Sequence, residues 1–294
     1  MSMDRRNFLL GVAAAGSASG SLAAEASAEP AICFFSKHLP NLGYDELGRT
    51  LKDAGFSGVD LTVRKGGHVL PERVREDLPR AVEAIRSHGL QVPMITTELT
   101  SASDATAGPI LETAARLRIP YFKLGYWPYD KDVLASLRKA SMDVKALTDL
   151  ARQYGIVAGF HNHPRNVGLA FWDTHEIIRH LDPKWIGYYY DANNATEEGA
   201  IKGWEVGLRL ASSRLKMAAC KDFYWEKSVR QSKPVECPLG EGVVNWPAVF
   251  KVFAGASFNG PISIHQEYNP PDRMAAAHKD LEFVKKQLAT ARSV

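Results

Sequence analysis

The stretch Gly155-Ile156-Val157-Ala158-Gly159-Phe160-His161-Asn162-His163 reads as the close of one helix, a buried strand, and the polar residues that leave it. Glycine at 155 suits the left-handed position that closes a helix. The apolar run after it lacks the alternation of a half-exposed strand, so it suits a strand covered on both faces, as in a parallel sheet. The same phrase recurs outward along the chain. It is seen in Ala54-Gly55-Phe56-Ser57-Gly58-Val59-Asp60-Leu61, His88-Gly89-Leu90-Gln91-Val92, Arg118-Ile119-Pro120-Tyr121-Phe122 and Ala254-Gly255-Ala256-Ser257-Phe258-Asn259-Gly260-Pro261-Ile262.

These runs predict strands at 31–35, 58–63, 91–96, 120–124, 156–161, 186–190, 215–220 and 261–266. Helical periodicity separates them: Leu47, Leu51 and Ala54 share one face, and Val74, Leu78, Ala81 and Ile85 another. Right-handed crossovers wind such a chain steadily one way, so eight alternating units predict an α/β fold, a single (β/α)8 barrel of the TIM type over residues 29–294. A doubly wound open sheet is the alternative. No glycine-rich dinucleotide fingerprint follows the first predicted strand, which disfavours it.

The first 28 residues read as an export signal: Arg5-Arg6 before Phe8-Leu9, an uncharged Gly/Ala/Ser-rich stretch, and a small-residue cleavage site at Ala26-Ser27-Ala28. A twin-arginine route and a periplasmic or exported location are expected, an ordinary secretory signal being the alternative. The apolar part is too short and too weakly hydrophobic to span a membrane, so no stable membrane association is expected. Net charge is +3, too mild to imply a nucleic-acid partner. Cys33, Cys220 and Cys237 are an odd set without metal-knuckle spacing, expected as buried thiols. Homo-oligomerisation is left open by the sequence.

In such a barrel the active site forms at the carboxyl ends of the strands. Nearly every predicted strand releases polar residues there: Ser36-Lys37-His38, Arg64 and His68, Thr96-Thr97-Glu98, Lys123, His161-Asn162-His163, Asp191 with Asn193 and Asn194, Lys221-Asp222, and His265-Gln266-Glu267. Residues two apart on a strand point the same way, so His161 pairs with His163 and His265 with Glu267. With Asp191 they offer His161, Asp191, His265 and Glu267 to one divalent ion, a donor set suited to Mn, Zn, Co or Mg. A lone buried histidine is also commonly a hydrogen-bonded core residue. Tyr126, Trp127 and Tyr129, and Phe223, Tyr224 and Trp225, offer rings for a sugar to stack on, or packing for the loops themselves. The excursion from Phe223 to Val243 is expected as a lid.

His161-Asn162-His163, Tyr189-Tyr190-Asp191, Lys221-Asp222, Leu239-Gly240-Glu241-Gly242 and His265-Gln266-Glu267-Tyr268 together resemble the xylose isomerase-like barrels of the sugar phosphate isomerase/epimerase superfamily. The resemblance implies a metal held by strands five to eight, usually through Glu, Asp, His and Glu. Asp191 and Glu267 match that pattern. His161 stands where Glu is usual and Ala219 where His is usual, so the resemblance loses one carboxylate and one imidazole.

Superfamily chemistry begins by removing a proton next to a carbonyl, leaving an enediolate that needs an electrophile nearby. The resemblance therefore implies a carbohydrate isomerase or epimerase acting on a small-molecule sugar. Glu267 is expected as base, Lys221 or Lys123 as positive charge, and His163 as a further catalytic group. Lys37, His38, Arg64, His68, Trp127, Asn194 and Trp225 are expected to contact substrate. A 3-keto-glycoside lyase and a non-catalytic periplasmic sugar binder are the alternatives. An abasic-site endonuclease, an activity of related barrels, is disfavoured by the modest charge and the export signal.

Overall fold

A computed structural model describes residues 29–227 and 232–293, and the expected export signal lies outside the described residues. Eight parallel strands close into a barrel: β1 (Ile32–Phe35), β2 (Gly58–Thr62), β3 (Gln91–Thr96), β4 (Tyr121–Lys123), β5 (Val157–His161), β6 (Ile186–Asp191), β7 (Leu215–Cys220) and β10 (Ile262–Ile264). Hydrogen bonding runs β1-β10-β7-β6-β5-β4-β3-β2, so β10 closes the ring against β1, with Ile32 opposite Ile262. Among the described residues no helix is long and apolar enough to cross a membrane.

Among the described residues eight α-helices surround the ring: α1 (Tyr44–Asp53), α2 (Val74–Ser87), α3 (Ala107–Arg116), α4 (Val133–Tyr154), α5 (Phe171–Ile178), α6 (Ala192–Ala211), α7 (Trp246–Gly255) and α8 (Arg273–Arg292). Local chemistry sets their ends. Asp132, Asp191, Asn245 and Asp272 each accept a hydrogen bond from a backbone N–H of the first turn of α4, α6, α7 and α8. Gly155 closes α4 at φ 72°, as its place in the sequence predicts. The main core lies between strands and helices, where Phe34, Leu47, Leu51, Ile85, Phe122, Val144 and Leu281 are fully buried.

Inside the ring, Met94, Tyr189, Met217 and Ala219 form a separate small apolar cluster with Tyr121 against it. Gly159 makes room for this cluster, since a Cβ there would collide with Met217 Cε and press on Tyr189 Cβ. Beside the cluster the interior turns polar. Asp60, fully buried, accepts hydrogen bonds from Thr96 Oγ1 at 2.7 Å, Ser263 Oγ at 2.8 Å and Tyr189 Oη at 3.3 Å. Burial pushes its carboxyl up to about 6, against the pull of these hydroxyls and of Lys123.

One boundary differs from expectation. The eighth barrel strand ends at Ile264, so His265 and Gln266 already belong to the rim. The excursion after β7, expected as a lid, is an antiparallel hairpin, β8 (Asp222–Lys227) with β9 (Ser232–Cys237). Asp222 pins the return of this hairpin: its carboxylate accepts from Phe223 N at 2.9 Å, Gly240 N at 3.0 Å, Val244 N at 3.2 Å and Trp246 Nε1 at 2.8 Å. Gly240 sits there at φ 87°, a conformation costly for any other residue. All three cysteines are buried and unbonded, as expected.

Gly159→Val should overpack the inner cluster and lower stability by about 1–3 kcal/mol, measured by urea unfolding; an unchanged midpoint would show that Met217 has room to move.

Candidate active site

A cavity of about 110 Å3 opens at the carboxyl rim. It is smaller than the roughly 300–1,000 Å3 of sites for drug-sized ligands, and so suits the reacting part of a small molecule. A larger cavity of about 570 Å3 lies at the amino end of the strands, lined by Lys251, Phe258, Asn259 and Arg292. We place the chemistry at the rim, where titratable groups from many strands converge.

Lys37, Arg64, Lys123, His161 and His163 line the rim cavity together with Lys221, His265 and Glu267, as the sequence predicts. Phe35, Thr96, Tyr126 and Tyr189 complete its wall. Asp191 lies beneath, with no exposure.

Asp191 is the best-compensated group at the rim. Its Oδ1 accepts from Asn194 N at 2.9 Å, its Oδ2 lies 3.2 Å from His161 Nε2, and Lys221 Nζ approaches to 3.7 Å. Burial raises its carboxyl, but Lys221 and His161 outweigh that and hold it below the usual carboxylate range. Lys221 shows the reverse balance: burial lowers its ammonium, and Asp191, Glu236, Glu267 and Glu197 together keep it above the usual lysine range. Lys221 is therefore a permanent cation among carboxylates.

His161 is held from both sides. Its Nε2 faces the acceptor-only carboxylate of Asp191, so that nitrogen carries the proton, leaving Nδ1 to accept from Tyr126 Oη at 2.9 Å. Burial drives the imidazole down to about 4, against the pull of Asp191, so it is neutral near pH 7. A second chain lies beside it. His265 Nε2 meets Tyr189 Oη at 2.9 Å, and Tyr189 in turn reaches Asp60. The His265 ring stacks on Phe35, with centroids 4.5 Å apart.

Glu267 takes Lys37 Nζ on both oxygens, at 3.0 and 2.9 Å. Burial pushes its carboxyl up, yet His38, Lys37 and Lys221 bring the net shift below the usual range. Burial sends His38 itself down to about 4, so near neutrality the two lysines hold Glu267 ionised. Lys123 differs from both other lysines. Its Nζ is buried without a hydrogen-bond partner among the described residues and sits 3.4 Å from the ring centroid of Tyr126. Burial and the Arg64 guanidinium push it down to about 7.

The expected metal set does not assemble. Among the described residues no three His, Cys, Asp or Glu side chains are grouped to hold an ion. Both ring nitrogens of His161 are engaged, His265 is turned to Tyr189, and Glu267 grips Lys37. A protonated lysine stands beside Asp191, and Ala219 supplies no donor. These residues do not fit a divalent ion, because a fixed positive charge already balances the carboxylates.

Several expected substrate contacts fall elsewhere. Trp127 is buried, stacks on Phe160 and donates to Asp143 Oδ2 at 2.9 Å, so it packs the wall behind the site. Asn194 donates to Asn162 O at 2.8 Å and holds the start of α6. His68 faces Thr62 Oγ1 at 3.2 Å, and His38 packs against Phe34 and Phe35 at 3.8 Å from Glu267. Trp225 is half-exposed on the hairpin, its ring edge-on to Phe223. None of the five lines the cavity.

Sequence reasoning passed over Glu236, Tyr189 and Asp60. Glu236, on β9, is pushed up to about 7 by burial, with Lys221 opposing, and accepts from Asn193 Nδ2 at 3.3 Å. Nothing in the linear order marks it, because only the hairpin brings it back to Lys221. Tyr189 and Asp60 were readable as inward positions on their strands, two residues below the rim.

A family model described as xylose isomerase-like TIM barrel matches residues 49–287. The chain belongs to this family. Solved structures of the same fold include an L-ribulose 3-epimerase, 17% identical with TM-score 0.70, covering 90% of this chain and 96% of that one. Another is a xylose isomerase-like TIM barrel protein from Mycobacterium smegmatis in complex with magnesium, 15% identical with TM-score 0.72, covering 89% and 97%. A third is a 3-keto-D-glucoside 4-epimerase from E. coli, 14% identical with TM-score 0.69, covering 88% and 100%. No curated protein matches the sequence.

Asp191→Asn keeps the cap on α6 but strips Lys221 of its nearest counter-charge, and should cost about 3–5 kcal/mol. Adding Lys221→Met should recover part of that loss in urea unfolding; equal losses in the single and double variants would show that the two charges are not coupled.

Proposed function

We propose that this barrel is a carbohydrate isomerase or epimerase that removes a proton next to a carbonyl. The observation that carries the reading is the placement of one ionised carboxylate, Glu267, in a small cavity whose other charged lining groups, Lys37, Arg64, Lys123 and Lys221, are basic. An enediolate developing there would meet the permanent cation of Lys221 as its counter-charge, already oriented by Asp191 and needing no reorganisation. The epimerases of the same fold support a sugar substrate for this rim.

Glu267 serves as the base. Its ionised state costs nothing to reach at neutral pH, and the Lys37 head that grips it is 42% exposed, so a sugar hydroxyl can compete for its carboxylate from the solvent side. Arg64, 21% exposed and 3.7 Å from Glu98, offers a further donor to substrate oxygens at the mouth. Return of the proton to the same carbon from the opposite face epimerises, and return to the neighbouring carbon isomerises. The pattern of the first 28 residues supports export, which would supply unphosphorylated sugars rather than sugar phosphates.

The test is turnover of D-fructose, D-tagatose, D-psicose and a 3-keto-glucoside, with epimers and isomers resolved by NMR. Conversion of at least one is expected, and Glu267→Gln should lower kcat by about 10²–10⁴-fold with an unchanged unfolding midpoint. Sugar binding that survives Glu267→Gln, with no conversion of any member by the parent protein, would make the barrel a binder instead.

A further inference from the structure

The mechanism above needs one fixed cation, Lys221, and leaves Lys123 without a task. Lys123 is the last residue of β4, points into the barrel, and is only 2% exposed. A buried ammonium normally gathers acceptors, yet Nζ has no hydrogen-bond partner among the described residues and lies over the face of Tyr126. It lines the same cavity as Glu267 and Lys221. An amine kept bare, desolvated and beside other cations is the arrangement that makes lysine a nucleophile toward carbonyls.

We propose that Lys123 forms an iminium with the carbonyl carbon of the substrate, an inference that rests on the cavity receiving a keto-sugar. The Nζ lone pair attacks the carbonyl carbon, a C–N bond forms, and the C=O π pair moves to oxygen, which gains a proton as Nζ loses one. The resulting hydroxyl takes up a second proton and leaves as water while the nitrogen pair closes C=N. Overall, amine, carbonyl and one proton give iminium and water. Glu267 then takes the proton on the adjacent carbon, the C–H pair becomes C=C, and the C=N π pair returns to nitrogen as an enamine. Proton return and attack by water run the sequence backward and release the sugar and the amine, with no oxidant or reductant required.

The surroundings of Nζ suit this cycle. Tyr126, whose ring it overhangs, donates its hydroxyl to His161 Nδ1, and His161 leans on Asp191. This chain fixes the ring face that Nζ overhangs, and the protons exchanged in the cycle pass through solvent in the cavity that Nζ lines. The groups facing Nζ are Arg64 after β2, Asp60 on β2, Glu98 after β3, Tyr126 after β4 and His161 on β5. Burial and Arg64 lower the ammonium to about 7, Asp60 and Glu98 opposing, so a large share is free amine at neutral pH.

The test is reductive trapping. The protein is incubated with dihydroxyacetone or D-fructose and sodium cyanoborohydride in D₂O, digested with a glutamate-specific protease and mapped by mass spectrometry, while deuterium in the recovered sugar is read by NMR. The peptide bearing Lys123 should gain the reduced adduct at least about tenfold faster than those bearing exposed Lys139 and Lys145, with half-maximal rate near pH 7. Lys123→Arg should abolish that adduct. Deuterium incorporation without a Lys123 adduct would overturn the iminium and leave the isomerase reading intact. A Lys123 adduct without incorporation would uphold the iminium and overturn that reading. Adducts at exposed lysines only, with no incorporation, would overturn both.

Discussion

A carboxylate without solvent exposure has to be compensated by its neighbours, and at this rim Asp191 has four such residues, from the end of β5, the end of β7 and the start of α6. His161 on β5, Lys221 after β7 and the backbone N–H of Asn194 in α6 meet its oxygens, while its own backbone exchanges hydrogen bonds with Asn162, at 2.8 and 2.9 Å. Removing that charge would take from Lys221 its nearest counter-charge and from His161 the partner that fixes its tautomer. The arrangement is costly in desolvation and is rigid for that reason. It holds one positive charge and one neutral imidazole in fixed orientation at the mouth of a barrel that is otherwise packed.

The rim has two polar tiers with opposite characters. The upper tier, Asp191, Lys221 and Glu267, stays ionised because opposite charges face one another. The lower tier, Asp60 with its three hydroxyl donors and the His265 chain, is dominated by burial, which drives Asp60 up and His265 well down. Fixed charges and groups driven toward neutrality therefore line one cavity side by side, Lys221 and Glu267 beside His161 and His265. Lys123 stands between the tiers, drawn toward neutrality by burial and Arg64 while lining the same cavity.

The barrel was legible because glycine-closed helices and two-sided apolar strands repeat along the chain, and the observed strands fall within one or two residues of the expected ones. The rim was legible for groups on strand ends, since alternation alone brings Lys123, His161 and Lys221 inward. Three things were not. Donor identity did not reveal that His161 and His265 would spend their nitrogens on Tyr126, Asp191 and Tyr189, which needs three-dimensional distances. Trp127 looked like a sugar platform, but its indole finds a better acceptor in Asp143 on α4. Glu236 was invisible because the linear order does not show that the excursion expected as a lid is a hairpin, whose pairing returns it toward Lys221.

On the reading proposed for this rim, the chain's own cations, Lys221 and Lys123, fill the electrophilic role that the family resemblance assigns to a metal. The most direct measurement of that role is solvent-deuterium incorporation into a converted keto-sugar by protein stripped with EDTA, beside untreated protein. The account predicts equal rates before and after stripping, and no gain on adding Mn, Zn, Co or Mg. Loss of incorporation on stripping, restored by one of these ions, would contradict it.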